Sequence, residues 1–496
     1  MNVSEMNVNK PMNITKKNIP PSFSHSASRR NRTFALGAAC FCILAACSLT
    51  PDLEKPTTAL PANWTLSGAE VTALTRWWQR YNDPALNGLI ERALEHNADL
   101  QLAAAHVAES RALLGGTQAE QYPSLSGNAS ATRLDLGDSP LTGGQNTKAM
   151  NSYSVAPVLS FEVDLWGRLA NATEASRQQL LAEEANARAV RLAVIAEVAS
   201  HYFTASALNE QIAITERTIK TRERAFTLQQ KLFKEGDTDE LTVRQAESEL
   251  QAVQAELPAL EQQRQQRLNA LSVLSGASPQ EIFNPTKLSE IKESSLPDVP
   301  TLPTLAPEQV VAGRPDIVRA EHQLVASNAQ IGVARAAYLP KLSLTGLLGF
   351  QSGNLDTLFS GSPASALAGS LAGPILDFGR ARAVVDASKA REKQAYISYE
   401  QTVRVAFREI MDALTGYRKT GERLAVQEKR VATLKRSTHL AQRRFDEGIA
   451  AYIDVLDAQR NLYQAETAMV ETRRARLQTS VDLYKALGGG SEEKQQ

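Results

Sequence analysis

The sequence predicts a mixed α and β membrane protein in which one chain carries two copies of the same unit, each supplying two strands and long coiled-coil helices. Three observations predict it. Two stretches of 68 residues, Arg168 to Glu235 and Arg380 to Glu447, contain no proline. Segments of two-residue apolar alternation precede each stretch, and the two halves of the chain match one another at fixed offsets.

The chain opens with an export signal. Arg29, Arg30 and Arg32 form a basic patch, Phe34 to Ala46 is an apolar run of 13 residues, and the run closes on Ala45 and Ala46. That is the layout of a secretory signal, and the run is shorter than the roughly 20 residues that cross a bilayer as a helix. Leu44-Ala45-Ala46-Cys47 resembles the bacterial lipobox, in which the cysteine becomes the acylated first residue of the mature chain. Residues 1–46 are therefore expected to be a lipoprotein signal peptide and Cys47 a lipid anchor; a plain signal cut near Ala46 is the alternative. Cys40, Cys42 and Cys47 are the only cysteines, so a lipidated exported chain has no free thiol, which suits an oxidising compartment.

Removing residues 1–46 leaves 48 basic against 53 acidic side chains, a net charge of −5. No basic footprint for nucleic acid is present. Aromatic residues are only 6% and the chain is rich in Ala, Gln, Leu, Arg and Glu, a composition of helices packed on helices.

The first repeat is expected over 47–276. Its counterpart, 314–488, follows an equatorial linker at 277–313 and precedes a polar tail at 489–496. Asp99–Ser126 laid over Asp316–Ser343 gives nine identities in 28 positions at an offset of 217. At an offset of 212, Gly167-Arg168 matches Gly379-Arg380, Glu197 matches Glu409, Gly236 matches Gly448 and Gly276 matches Gly488. A period this long denotes duplication of a whole unit, since solenoid repeats run to only about 50 residues.

Each copy has the same order of elements. A moderate helix comes first, opened in the second copy by Pro315 at a first helical position and closed in both before Pro123 or Pro340. A hairpin follows, expected over 125–165 and 342–378. In the first, Tyr153, Val155, Pro157, Leu159, Phe161, Val163 and Leu165 share a face opposite Ser154, Ser160, Glu162 and Asp164. In the second, Leu342, Leu344, Leu348 and Phe350 alternate with Ser343, Thr345 and Gln351. Long helices complete each copy, over 168–275 and 380–487. At 1.5 Å per residue the first member of each pair extends roughly 100 Å. Ile212, Ile219, Phe226 and Phe233 recur every seven residues, the spacing of a coiled coil. Pro258 predicts a kink or break in the returning helix.

Two strands per copy give four per chain, whereas the smallest membrane barrels have about eight. An open sheet edge leaves backbone polar groups unsatisfied in lipid. The strands therefore require oligomerisation if they cross a membrane, and three chains would close a barrel of 12.

The stretches "CSLTPDLEKP", "WWQRYNDPALNGLIERAL", "GRPDIVRAEHQLVASNAQIGVARAAYLPKLSLTG", "GPILDFGRAR" and "RRFDEGIAAYIDVLDAQRNLYQAE" together resemble the outer membrane factor family, in the lipoprotein, OprM- and NodT-like branch of TolC-type efflux channels. The likeness covers essentially Cys47 to Gly488. It implies a homotrimer whose 12-stranded outer-membrane β-barrel continues as a 12-helix periplasmic α-barrel, held in outer membrane lipid. It also implies a function: a passive duct for drug-like molecules, met by a periplasmic membrane-fusion adaptor and an inner-membrane pump, for which the resistance-nodulation-division type is expected. The same duct serving metal ions or type I protein secretion, and a soluble coiled-coil scaffold, are the alternatives.

No P-loop, GxSxG elbow, HExxH or paired CxxC is present, so neither enzyme chemistry nor a cofactor is expected. His96, His106, His201, His322 and His439 show no metal-ligand spacing. Control is expected at the turns ending the 68-residue stretches, Gly236 and Gly448. Beyond the second, Asp454 and Asp457 lie three apart on one helical face. By the resemblance they ring a narrowed periplasmic entrance, where six carboxylates from three chains favour cations; a solvated helix start is the plainer reading. Asp237, Asp239 and Glu240 are candidates for an added acidic rim. Trp77 and Trp78 are expected to pack at the equatorial belt.

Overall fold

The computed structural model describes residues 49–53, 76–134, 149–283, 295–300, 313–361 and 363–489. A 3-10 turn at Trp77–Tyr81 leads into α1 (Pro84–His96) and α2 (Ala98–Ala119), then β1 (Ser124–Leu134) and β2 (Met150–Val163). The long helices α3 (Arg168–Glu235) and α4 (Glu240–Leu274) follow, then the short α5 (Pro279–Phe283). The second copy repeats the series: α6 (Pro315–Arg335), β3 (Lys341–Ser352), β4 (Ala364–Ala372), α7 (Arg380–Asp446) and α8 (Tyr452–Ala486).

Local chemistry sets these limits. Asp83 caps α1 by accepting from the Ala85 and Leu86 amides at 3.0 and 3.2 Å, with Pro84 behind it where a missing N–H costs nothing. Among the described residues the positive-φ glycines are Gly167, Gly236 and Gly276 with Gly379, Gly448 and Gly488. They form three pairs, each 212 residues apart. The first of each set starts a long helix, the second closes it and the third closes the returning helix. Left-handed backbone is strained for any side chain with a Cβ, so the duplication is preserved where only glycine fits.

Pro258 does not break α4, which runs unbroken from Glu240 to Leu274. The expected break fails because packing along α3 sustains the helix on both sides of the one lost amide. The second 68-residue stretch is helical to Asp446, with Glu447 as its cap.

The strands form one antiparallel sheet in the order β1-β2-β3-β4. Register aligns the apolar positions of all four strands on one face. Leu125 stands opposite Leu159, Leu159 opposite Gly346, and Gly346 opposite Leu367. Two rows along, Val163, Leu342 and Leu371 line up. The other face carries Ser126, Ser130, Ser154, Ser160, Ser343, Thr345 and Ser370, with Leu134, Met150, Val158 and Leu347 as its large apolar members. There Gly349 sits against β2, where a Cβ would lie 2.3 Å from that of Ala156.

The main core lies at the waist. Trp77 stacks on Tyr484 at 5.0 Å and 10°, Tyr81 packs on Phe203, and all four are buried. Tyr81 and Ser480 hydroxyls are 2.6 Å apart, and the Tyr202 hydroxyl donates to Asp83 at 2.6 Å. Packing in this core is thus what Trp77 and Trp78 do. Leu296 joins the same layer: its amide donates to Glu210 at 2.9 Å and its carbonyl accepts from Arg473 at 3.0 Å.

Candidate functional site

Two features converge on function, the sheet at one end of the long helices and the paired turns at the other. The apolar sheet face is turned to the surface: Leu125, Leu159, Leu344, Leu348, Leu367 and Leu371 are all exposed. A soluble chain rarely presents so continuous an apolar face, and lipid is the surrounding that removes its cost. Among the described residues no helix is long and apolar enough to cross a membrane.

The turns at the far end share one geometry. The Gly236 amide donates to Phe233 O at 3.1 Å and the Asp237 amide to Leu232 O at 2.8 Å. Likewise the Gly448 amide donates to Phe445 O at 2.9 Å and the Ile449 amide to Arg444 O at 2.8 Å. Both are Schellman closures. A small core of Ala246, Tyr452, Val455 and Leu456, flanked by Ala225, Phe226, Ala441 and Phe445, packs the two tips together.

The acidic candidates stand around that core. Tyr452, Val455 and Leu456 turn inward, which leaves Asp454 and Asp457 exposed in the first turns of α8. Asp457 pairs with Arg460 at 3.4 Å. In the other tip Asp237 is exposed, Asp239 caps α4 by accepting from the Thr242 amide at 2.8 Å, and Glu240 pairs with Arg244 at 3.2 Å. Asp239 and Glu240 therefore already serve the helix start.

Sequence reasoning missed the charged seam beneath the tips. Arg222 of α3, 2% exposed, is bound to Glu249 of α4, and Glu249 also accepts from Arg460 of α8 at 2.9 Å. A relay of Arg222, Glu249, Arg460 and Asp457 thus crosses three helices, beside a cavity of about 580 Å³ that Gln211, Glu256 and Tyr463 help to line. Burial raises the Tyr452 hydroxyl pKa, with nearby Glu249 adding to the effect and Arg222 opposing it. A signal was available: Thr215, Arg222 and Gln229 lie three residues after Ile212, Ile219 and Phe226, and all three polar side chains are buried.

Cys47 lies outside the described residues. Just after it, Leu49 O accepts from Arg335 at 2.8 Å, Pro51 O accepts from Asn328 at 2.9 Å, and Thr50 donates to Asn171 at 2.6 Å. This strap ties Leu49 to Pro51 to the sheet ends of α6 and α3. Among the described residues no group of His, Cys, Asp and Glu is arranged to hold a metal ion.

A sheet with a largely apolar, exposed face, mounted on helices of 68 and 67 residues, defines an outer-membrane channel with a helical tunnel. The chain belongs to the outer membrane efflux protein family, whose model matches residues 89–277 and 306–489. It is 34% identical over 458 residues to the solvent efflux pump outer membrane protein SrpC of Pseudomonas putida, covering 90% of this chain and 96% of that protein. Cation efflux system protein CusC of Escherichia coli is 32% identical over 466 residues, covering 91% and 98%. The crystal structure of the open state of the Neisseria gonorrhoeae MtrE outer membrane channel superposes with a TM-score of 0.78 at 31% identity, covering 91% and 100%.

The fold is that of the trimeric TolC-like channels. With four strands and four long helices per chain, three chains form a 12-stranded outer-membrane barrel continued by a 12-helix periplasmic barrel. The protein is an outer-membrane efflux duct, in a family of channels and not of enzymes.

Proposed function

We propose that this duct carries drug-like small molecules, received from a periplasmic membrane-fusion adaptor and an inner-membrane pump of the resistance-nodulation-division type, and that it works passively. The observation that carries the reading is likeness over nine-tenths of the chain to a solvent efflux channel, SrpC. A second reading, metal-ion efflux, is favoured by the comparable likeness to CusC. Against a methionine relay for copper or silver, only Met150, Met411 and Met469 follow residue 46.

In this reading residues 47–276 and 314–488 are the two repeats around an equatorial linker at 277–313. Cys47 carries acyl chains in the inner leaflet, beside the strap that fixes Leu49 to Pro51. The turns at Gly236 and Gly448 form the periplasmic tip, Asp454 and Asp457 its gate, and Asp237, Asp239 and Glu240 an outer rim. Support for the gate comes from the exposure of both aspartates next to the seam joining α3, α4 and α8.

The deciding experiment is deletion of the gene with sensitivity measured to organic solvents, antibiotics, copper and silver. Sensitisation to solvents and antibiotics alone supports the leading reading; sensitisation to the metals alone replaces it with the second.

A further inference from the structure

We infer the register in which neighbouring subunits join, because the chain contains a copy of its own seam. Among the described residues the outer edges of β1 and β4 have no strand partner, while the inner junction, β2 against β3, pairs one repeat with the other. The inference rests on the trimeric assembly and adds to it the residues that meet.

The two hairpins superpose by their hydrogen-bond register. Ser126 stands opposite Val158 and Ser343 opposite Ser370. Ser126 and Ser343 are 217 apart, the offset of the matching segments ahead of the strands, so Val158 corresponds to Ser370, 212 residues on. That is the offset that also relates Gly167 to Gly379. The strand register thus recovers independently the two offsets read from the sequence.

Moving the inner junction by these offsets gives the outer one. Val158 opposite Leu347 becomes Ser370 opposite Ser130 of the partner subunit. Leu159 opposite Gly346 becomes Leu371 opposite Ala129 of the partner subunit. Val163 opposite Leu342 becomes Ile375 opposite Leu125 of the partner subunit.

Two features of the chain fit this register. It keeps the faces continuous: Leu371 and Ile375 meet Ala129 and Leu125 of the partner subunit on the apolar side, and the serines meet on the other. It also accounts for Ile375, which is 102% exposed just beyond β4, and for Leu125, which is 72% exposed on β1. A four-stranded sheet cannot close on itself, since the smallest membrane barrels need about eight strands. Sliding by two residues would preserve the faces as well, so alternation alone leaves the register open. The duplication is what selects one.

Disulfide trapping tests it. Cα atoms of directly opposed residues lie about 4.5–5.5 Å apart, within disulfide reach, whereas diagonal neighbours at roughly 7–8 Å lie outside it. Ser370→Cys is combined in turn with Asn128→Cys, Ser130→Cys and Thr132→Cys in the full-length protein, with each single variant as background. Oxidation is expected to give a covalent trimer that survives boiling and is released by reductant with Ser130→Cys, at several times the yield of either flanking pair. Ala372→Cys with Asn128→Cys is the second expected pair, should the first fail to assemble.

Dominant trapping with Asn128→Cys or Thr132→Cys, or none at either expected pair in protein that still runs as a heat-sensitive trimer, overturns the register. Absence of that trimer in the wild type would instead overturn the assembly on which it rests.

Discussion

Arg460 of α8 donates to Glu249 of α4 at 2.9 Å, a direct tie between the two repeats close to their tips. Glu249 also neutralises Arg222, which is almost fully buried. One carboxylate therefore serves one buried and one half-exposed guanidinium, and the two are not of equal worth. An ion pair with a solvated partner contributes about 0–1 kcal/mol, while stripping the partner from a buried charge costs about 3–5 kcal/mol.

Glu249→Gln is accordingly expected to destabilise the tip by about 3 kcal/mol, toward the low end because Glu249 keeps some contact with water. Arg460→Ala should cost less than about 1 kcal/mol. Hydrogen exchange of the tip amides measures both. Equal protection loss in the two variants would show that Arg222 finds another partner.

The glycine pairs separate two kinds of backbone constraint. At Gly236, with φ of 85°, nothing lies within 4 Å of an added Cβ, whereas at Gly276, with φ of 71°, a Cβ would sit 2.5 Å from His96 O. Gly236→Ala should therefore cost only the left-handed penalty, about 1–2 kcal/mol. Gly276→Ala adds a backbone clash at the waist and should cost clearly more. Melting of the trimer, followed by loss of the heat-sensitive band, ranks the two.

How much of this was legible in the sequence depended on whether the signal was local. Arg168–Glu235 was readable to the residue because glycine flanks it on both sides, and the strand faces were readable because alternation is a property of each strand alone. The continuity of the helix through Pro258 was not readable, because it is set by the neighbouring helix, which sequence order does not display. Arg222 was passed over for a related reason. It sits at a seam position where an apolar residue is the expectation, and its partner Glu249 is 27 residues away on another helix. Asp239 and Glu240 were legible as acids, but an acid at a helix start is an N-cap as readily as a rim.

Truncation at the waist should be costly. Trp77 is fully buried against Tyr484, so Trp77→Ala is expected to destabilise the chain by about 3–5 kcal/mol, with Trp77→Phe retaining much of the stacking. Yield of heat-sensitive trimer in outer-membrane fractions reads the effect, and wild-type yield of Trp77→Ala would mean that the belt core is redundant.

Acid should loosen the junction between α6, α7 and the end of α8. Arg314 donates to Asp316 at 3.0 and 2.7 Å, to Glu409 at 2.8 Å and to Ala486 O at 2.8 Å. Burial alone would raise the Asp316 carboxyl pKa, but the hydrogen bonds and charge of Arg314 outweigh it and hold the group below the ordinary carboxylate range. A carboxylate depressed in the folded state stabilises fully above its unfolded pKa, about 3.9, and the contribution disappears as pH falls through the lower folded value. Asp316→Asn should therefore be less stable than the wild type at neutral pH by about 1.5–3 kcal/mol, the worth of charge-assisted hydrogen bonds. The gap should narrow only below about pH 4. Trimer melting followed from neutral pH down to about pH 2.5 checks it. A gap that already closes between about pH 6 and 5 would assign the effect to another group, because a depressed carboxyl does not titrate there.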